Sequence, residues 1–169
     1  MIRDTPEGAL PIVRQLELRR HARRDPKADR LSAEGRAQAE DLGRTTHASY
    51  DLVFVSPAHR AAETAAWILR GAGAQLPDHS VIPGLAGKDI SGGSPEGMAA
   101  GVRALLDLVP DEGRGLAISH TPFVERAGWG LSGREMQPFA ECEGILVTRH
   151  DDGSLAVDEL RLGGGVGSA

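Results

Sequence analysis

Short apolar segments alternate with segments of helical period along this chain, and that order constrains its fold more than any other feature. Apolar runs typical of strands span residues 12–19, 52–55 and 116–118. Apolar residues at helical spacing predict helices over residues 32–43, 58–69, 95–108 and 121–131. Strands that alternate with helices in this way are typical of an α/β protein with a parallel sheet covered by helices.

The rest of the sequence adds a long loop, a hairpin and a tail. Residues 75–94 are rich in Gly, Pro and Asp and predict a loop, interrupted at most by a brief strand at Val81 and Ile82. Two strand-like runs, 145–150 and 155–162, predict a β-hairpin. A chain of 169 residues is most simply one domain. We therefore expect a single domain over residues 1–162 and a disordered Gly-rich tail over residues 163–169.

Composition narrows the class of protein. The net charge of −5 argues against general binding to nucleic acid. The single cysteine, Cys142, cannot form an intramolecular disulfide and fits a reducing compartment. No apolar run reaches the length of a signal-peptide core or of a membrane-spanning helix. We expect a cytoplasmic protein that binds neither nucleic acid nor a membrane.

The first predicted strand carries polar residues on one of its faces. Leu16 and Leu18 alternate with Gln15, Glu17 and Arg19. A strand that is covered on both faces normally has a nearly continuous apolar sequence. Either one side of this strand is therefore exposed to solvent, or its polar groups are paired.

Charged side chains stand where three of the predicted strands end. The first strand ends at Arg20 and His21, Arg60 follows the second, and His120 follows the third. Ligands of open α/β sheets bind at the carboxyl ends of strands, where loops converge. If the three ends are adjacent, the guanidinium groups can bind phosphoryl oxygens while one imidazole attacks phosphorus and the other stabilises charge. The sequence therefore predicts a phosphate pocket that requires no metal ion.

The four segments that contain or flank these residues are Leu18-Arg19-Arg20-His21-Ala22, residues 29–35 (Asp-Arg-Leu-Ser-Ala-Glu-Gly), residues 56–65 (Ser-Pro-Ala-His-Arg-Ala-Ala-Glu-Thr-Ala) and residues 119–125 (Ser-His-Thr-Pro-Phe-Val-Glu). In this order they resemble the motifs of the histidine phosphatase superfamily, which includes phosphoglycerate mutases and small phosphohistidine phosphatases. The resemblance implies a phosphoglycerate mutase-like three-layer sandwich, with a mixed, mainly parallel sheet and helices on both faces. It also implies His21 as the nucleophile, with Arg20, Arg60 and His120 completing the phosphate pocket.

Three positions depart from the family pattern. Ala22 stands where the family has Gly, and Lys27 stands about where mutase-like members have an Asn that helps to bind phosphate. Members that cleave ordinary phosphate esters carry a Glu four residues before a Gly-x-x-Glu-Gly segment. Here residues 93–97 form that segment, and Asp89 precedes it at the same spacing. The resemblance therefore implies Asp89 as the general acid, on a shorter side chain.

These observations predict a metal-independent phosphatase without a cofactor that works through a phosphohistidine on the enzyme. Its predicted substrate is a phosphomonoester or a protein phosphohistidine, so its partner is a phosphorylated small molecule or a phosphoprotein. Two alternatives stay open, a mutase-like phosphotransferase and a phosphate-binding module without turnover. The sequence does not determine the oligomeric state.

Overall fold

One sheet organises the part of the chain that the structure, a computed structural model, describes, which is residues 11–46 and 49–163. The sheet has the strand order β3-β2-β4-β1-β5-β6. The strands within the described residues are β1 (Ile12–Arg20), β2 (Leu52–Val55), β3 (Ser80–Val81), β4 (Gly113–Ser119), β5 (Gly144–His150) and β6 (Leu155–Leu160). Strands β1 to β4 are parallel to their neighbours among themselves, whereas β5 is antiparallel to β1 and β6. The sheet is thus mixed and mainly parallel, as expected.

Helices cover both faces of this sheet, and their bounds differ from the predicted ones by at most a few residues. Ser32 caps the first helix by accepting a hydrogen bond from the Gly35 backbone N–H at 3.0 Å, as its sequence position suggests. Ser94 caps the third helix in the same way, through the Gly97 N–H at 3.1 Å. The helices in the described residues are α1 (Ala33–Thr45), α2 (His59–Gly71), α3 (Pro95–Leu108) and α4 (Phe123–Ser132), with a 3₁₀ turn at Pro83–Ala86.

The apolar core has one layer on each face of the sheet. On one face, Val102 of α3 and Val124 of α4 belong to the buried cluster that contains Leu16 and Leu18 of β1. On the other face, Ile68 of α2 lies in the cluster that covers β2 and β4. Burying apolar surface on both sides of the sheet completes the three-layer arrangement and fixes the helices that carry the site.

The helix that carries Arg60 is held by a close approach to α1. A Cβ atom on Gly43 of α1 would lie 1.9 Å from the backbone oxygen of Ile68 in α2. A Cβ atom on Gly71 of α2 would lie 2.0 Å from the backbone oxygen of Glu40. Only glycine permits two backbones to pack at this distance.

The polar face of β1 is paired, which decides between the two alternatives left by the sequence. Glu17 is fully buried, and its carboxylate accepts hydrogen bonds from Arg19 Nε at 2.8 Å, Tyr50 Oη at 2.8 Å and Arg114 Nη2 at 2.5 Å. Burial alone would raise the pKa of Glu17, but the charges of Arg19 and Arg114 and these hydrogen bonds lower the pKa overall. Gln15 also donates to Thr148 Oγ1 at 3.2 Å.

The Gly-rich tail and the long loop are the two segments for which the sequence predicts little regular structure. The predicted tail lies, except for Gly163, outside the described residues. The loop over residues 75–94 contains the two-residue strand β3 and the 3₁₀ turn. Among the helices of residues 11–46 and 49–163, none is long and apolar enough to cross a membrane.

Candidate active site

The sheet brings the three predicted strand ends side by side. In the parallel register, Arg20 of β1 lies opposite Ser119 of β4, and Val55 of β2 lies opposite Ile118 of β4. The hydrogen bond from the His21 backbone N–H to the Ser119 oxygen at 3.0 Å continues this pairing beyond β1. The carboxyl ends of β2, β4 and β1 are therefore adjacent, which is the arrangement on which the predicted pocket depends.

His21, Arg60 and His120 line one cavity of about 540 Å³ at this edge of the sheet. The two imidazole rings meet edge to face, with centroids 5.1 Å apart, and both residues are buried. The guanidinium of Arg60 contacts both rings, since its Nε lies 3.3 Å from His21 Nε2 and its Nη2 lies 3.4 Å from His120 Nδ1. Asp29, Pro57, Lys88 and Thr121 line the same cavity and are exposed, so the imidazoles form its floor.

The hydrogen bonding of His21 places the lone pair of the imidazole on Nε2, the atom that Arg60 Nε approaches. Its Nδ1 lies 2.7 Å from the backbone oxygen of Ala22. Because a carbonyl oxygen can only accept, Nδ1 carries the proton and Nε2 carries the lone pair. Burial lowers the pKa of His21, the charges of Arg60 and Arg20 lower it further, and the hydrogen bond to Ala22 opposes them. His21 is therefore neutral near pH 7.

His120 is hydrogen-bonded to a serine that directly follows β2. Ser56 is buried, and its Oγ lies 2.6 Å from His120 Nε2. Burial, followed by the charges of His21 and Arg60, lowers the pKa of His120 to about 4. The second imidazole is therefore neutral as well, with Nδ1 on the side of Arg60.

Asp29 orients Arg60 and caps the helix that carries it. Its carboxylate accepts hydrogen bonds from the backbone N–H groups of His59 at 2.8 Å and Arg60 at 3.1 Å, and from Arg60 Nη1 at 3.0 Å. Ala58, the N-cap residue of α2, provides no side-chain cap of its own. Burial opposes ionisation, but these hydrogen bonds and the Arg60 charge lower the pKa of Asp29 to about 2. Asp29 is therefore ionised near pH 7.

Arg20 lies beside this cavity rather than in its lining. Its Nη1 donates to the Phe139 backbone oxygen at 2.9 Å, and its Nη2 lies 3.6 Å from the Glu141 carboxylate. Its Nε is buried and has no hydrogen-bond partner within the described part of the chain. The charge of Arg20 nevertheless contributes to the lowered pKa of His21, so the guanidinium is electrostatically part of the site.

Asp89, the expected general acid, is not brought to the imidazoles. Its carboxylate accepts hydrogen bonds from the backbone N–H of Ser91 at 2.9 Å and from Ser91 Oγ at 2.5 Å. Asp89 lines a different, smaller cavity of about 120 Å³, together with Leu85 and Met98. The preceding residue, Lys88, lines the cavity that contains the histidines.

Three residues to which the sequence assigned no role contribute to this geometry. Ser56 and Asp29 both lie inside segments that resemble family motifs, so their place in those segments could have marked them as candidates. Lys88 lies in an aperiodic loop that offers no such signal. Lys27 is exposed, and its backbone N–H donates to Asp25 Oδ1 at 2.8 Å.

The donor set around the cavity does not form a metal site. Across residues 11–46 and 49–163, no group of three or more His, Cys, Asp or Glu side chains is arranged to hold a metal ion. Among the described residues, the charged side chains that line the cavity beside the two imidazoles are instead Arg60, Lys88 and Asp29, and Asp29 is paired to Arg60.

Solved structures of phosphatases and of a mutase share this fold. The protein histidine phosphatase SixA, complexed with tungstate, is 23% identical and aligns over 87% of this chain and 96% of its own, with a TM-score of 0.68. Phosphoserine phosphatase from Entamoeba histolytica, in complex with 3-phosphoglyceric acid, is 14% identical over 89% and 98% of the two chains, with a TM-score of 0.69. Phosphoglycerate mutase from Bacillus anthracis is 15% identical over 89% and 93%, with a TM-score of 0.65. The mutase-like fold is thereby confirmed.

Sequence comparison identifies the family. No curated protein matches the chain. The profile of the histidine phosphatase superfamily (branch 1) matches residues 15–120, which is more than half of the chain and includes His21, Arg60 and His120. This chain therefore belongs to the histidine phosphatase superfamily.

Proposed function

We propose that this protein is a metal-independent phosphatase that hydrolyses protein phosphohistidine through a phosphohistidine intermediate on His21. The observation that carries the proposal is a cavity with two neutral imidazoles and Arg60 but no carboxyl group able to donate a proton. Asp29 is the only carboxylate among the described residues that line it, and with a pKa of about 2 it stays ionised. Such a site suits a leaving group that needs no acid.

In the first step, the lone pair on His21 Nε2 attacks phosphorus. The Nε2–P bond forms while the P–N bond to the substrate imidazole breaks, and that imidazole keeps the bonding electron pair. Because its other ring nitrogen has already taken a proton from solvent, it leaves as neutral imidazole. An alkoxide is far more basic and requires a proton in the transition state. The absence of an acid from the described cavity lining therefore favours phosphohistidine over serine or sugar phosphates.

Fixed N–H donors neutralise the charge on the phosphoryl group as it transfers. Arg60 bridges the two imidazoles, so a phosphoryl group bound to His21 Nε2 meets both its Nε and its Nη2. We assign the buried, unpartnered Nε of Arg20 to a further phosphoryl oxygen. The Nδ1 of His120 faces the same position and supplies another donor once the negative charge of the phosphoryl group favours protonation of the imidazole. One donor of this kind typically contributes on the order of 3 kcal/mol to transition-state stabilisation.

In the second step, water attacks the phosphorus of phosphorylated His21. The new O–P bond forms as the Nε2–P bond breaks, and the electron pair returns to Nε2. The proton of the attacking water leaves with phosphate or passes to solvent. His21 is then neutral again and ready for another substrate.

The test measures hydrolysis of three substrates, a phosphohistidine peptide, p-nitrophenyl phosphate and a phosphoserine peptide. We expect turnover of the first two, much slower turnover of the third, and an acid-labile phosphoryl label on the enzyme. His21→Ala should lose both the turnover and the label. Label that persists in His21→Ala would contradict the mechanism, and binding of the phosphohistidine peptide without turnover would favour a phosphate-binding module.

Asp89→Asn provides the control for the acid. Because asparagine keeps an oxygen that can accept both Ser91 hydrogen bonds, and because residue 89 lines the other cavity, the substitution should leave all three rates unchanged. A selective loss on phosphoserine would instead identify Asp89 as a working acid and contradict the preference for phosphohistidine. A metal chelator should leave the wild-type rates unchanged.

A further inference from the structure

The loop over residues 87–93, which we call the rim loop, borders the mouth of the catalytic cavity. Lys88 of this loop lines the cavity together with His21 and His120. Ile90, two residues further, is fully exposed, with a relative exposure of 108%. The phosphoryl-transfer steps described above use neither side chain. The rim loop is therefore available to contact the part of the substrate that leaves.

The rim loop is fixed rather than loosely tethered. Asp89 accepts two hydrogen bonds from Ser91, which close a tight turn. The ring of Phe123 fills the space between Gly87 and Gly93, because a Cβ atom on either glycine would lie within 2.6 Å of its Cε1 atom. Both glycines have positive φ angles, of 66° and 76°, which a residue with a side chain rarely adopts. The exposed isoleucine is thus held at the tip of an ordered turn.

The charge of Lys88 is available to a ligand. Its side chain has no hydrogen-bond or ion-pair partner among the residues that the structure describes, whereas Arg60 in the same cavity is paired with Asp29. The neighbouring carboxylate, Asp89, is occupied within the loop. The Lys88 charge also contributes to the lowered pKa of His120, which agrees with a position facing the imidazoles.

We propose that the rim loop binds the protein that carries the phosphohistidine, with Lys88 pairing to a carboxylate next to the phosphorylated residue and Ile90 packing against an apolar side chain beyond it. The inference rests on the proposed function and names what the substrate must carry around its phosphoryl group. A ligand small enough to fit within the cavity would not reach an isoleucine that faces solvent outside it. The combination of a cation at the cavity and an apolar side chain beyond it therefore fits an acidic, partly apolar polypeptide segment.

The experiment uses phosphohistidine peptides in matched pairs, so that the leaving group is the same within each pair. One pair carries either glutamates or glutamines next to the phosphohistidine, and a second pair carries either leucines or serines at the next positions. In the wild type, kcat/KM should favour glutamate by roughly two- to fivefold, the size expected for a partly exposed ion pair. Leucine should be favoured by roughly three- to tenfold, as expected for partial burial of an isoleucine.

Each preference should depend on one residue of the rim loop. Lys88→Gln should abolish the preference for glutamate, and Lys88→Arg should retain it because the positive charge is kept. Ile90→Ser should abolish the preference for leucine. Leu108→Ser is the matched control, since Leu108 is also an exposed apolar residue but lies at the end of α3. It should leave both preferences and all rates unchanged.

Two results would overturn the inference, and they are distinguishable. Equal kcat/KM values within both peptide pairs in an enzyme that hydrolyses all four peptides would remove the rim loop from substrate recognition and leave the proposed function intact. Hydrolysis of p-nitrophenyl phosphate with no hydrolysis of any phosphohistidine peptide would overturn the proposed function, and this inference with it.

Discussion

Replacing Ser56 with alanine tests how the protein controls the proton on His120. Ser56 Oγ lies 2.6 Å from His120 Nε2 and also accepts from the backbone N–H of Ala58 at 3.4 Å. Arg60 has no acceptor atom, so its Nη2 contact at 3.4 Å leaves the lone pair on His120 Nδ1, and Nε2 carries the imidazole proton and donates it to Ser56 Oγ. Ser56 thereby fixes the tautomer of His120 and keeps Nδ1 directed at Arg60, next to the position proposed for the phosphoryl group.

The expected loss of kcat in Ser56→Ala follows from the burial of Ser56 and His120. Ser56 and His120 are both buried, so Ser56→Ala removes one hydrogen bond and leaves Nε2 without its partner. A lost hydrogen bond costs about 0.5–1.5 kcal/mol and a buried unpaired group about 1–3 kcal/mol. Because His120 can then carry its proton on either nitrogen, we expect kcat to fall roughly tenfold to a hundredfold.

Two measurements make this prediction decisive. Steady-state kinetics with p-nitrophenyl phosphate should show the loss in Ser56→Ala and substantial recovery in Ser56→Thr, which keeps a hydroxyl group. Nitrogen-15 NMR of the imidazole should find the proton on Nε2 of His120 in the wild type and on both nitrogens in Ser56→Ala. A wild-type proton on Nδ1, or a normal rate in Ser56→Ala, would refute the reasoning.

Three further predictions concern the charges around the site and under the sheet. Asp29→Ala should reduce kcat in turnover assays because it frees Arg60. It should also lower the free energy of urea unfolding by about 1 kcal/mol because α2 loses its cap. Asp25→Ala, in the same loop, should leave kcat unchanged. Glu17→Ala should cost about 3–5 kcal/mol in urea unfolding because it leaves buried arginine charge unpaired. Folding lowers the pKa of Glu17. The difference in unfolding free energy between wild type and Glu17→Ala should therefore have its full size above about pH 4.3 and shrink as the pH falls. The NMR titration of His120 should have its midpoint at about 4.

Each of these predictions can fail separately. Normal turnover in Asp29→Ala would show that Arg60 is oriented by its contacts with the imidazoles alone. A stability difference between wild type and Glu17→Ala that grows in acid would reverse the sign of the Glu17 linkage. A midpoint at or above the ordinary histidine value of about 6.5 would mean that burial and the neighbouring charges do not control His120.

The sequence was sufficient to predict the convergence of His21, Arg60 and His120. Strand and helix periods are local properties, so β2, β4 and the first three helices could be located from apolar spacing alone. Once these strands are taken as parallel neighbours, their carboxyl ends must share one edge, and the residues that follow them must meet. The observed contacts of Arg60 with both imidazoles are the consequence.

Pairings between distant residues could not be predicted in the same way. The partners of Glu17 include Tyr50 and Arg114, which are separated from it by 33 and 97 positions. From the sequence alone, the polar face of β1 is therefore compatible either with exposure to solvent or with ion pairs. Only the three-dimensional positions of Tyr50 and β4 decide between the two. The role of Asp29 is hidden for the same reason, because the helix that it caps begins 30 residues later at His59.

The expectation for Asp89 shows why an irregular loop is the hardest segment to interpret by spacing. Motif spacing counts residues, but between the 3₁₀ turn and α3 no repeating backbone geometry converts that count into a direction. The turn closed by Asp89 and Ser91 directs the carboxylate into the loop, while Lys88, one residue earlier, lines the catalytic cavity. A shift of one residue thus replaces a potential proton donor by a fixed cation. That replacement favours substrates with a good leaving group and a nearby negative charge over substrates that need an acid, so the same local feature supports both the proposed function and the recognition by the rim loop.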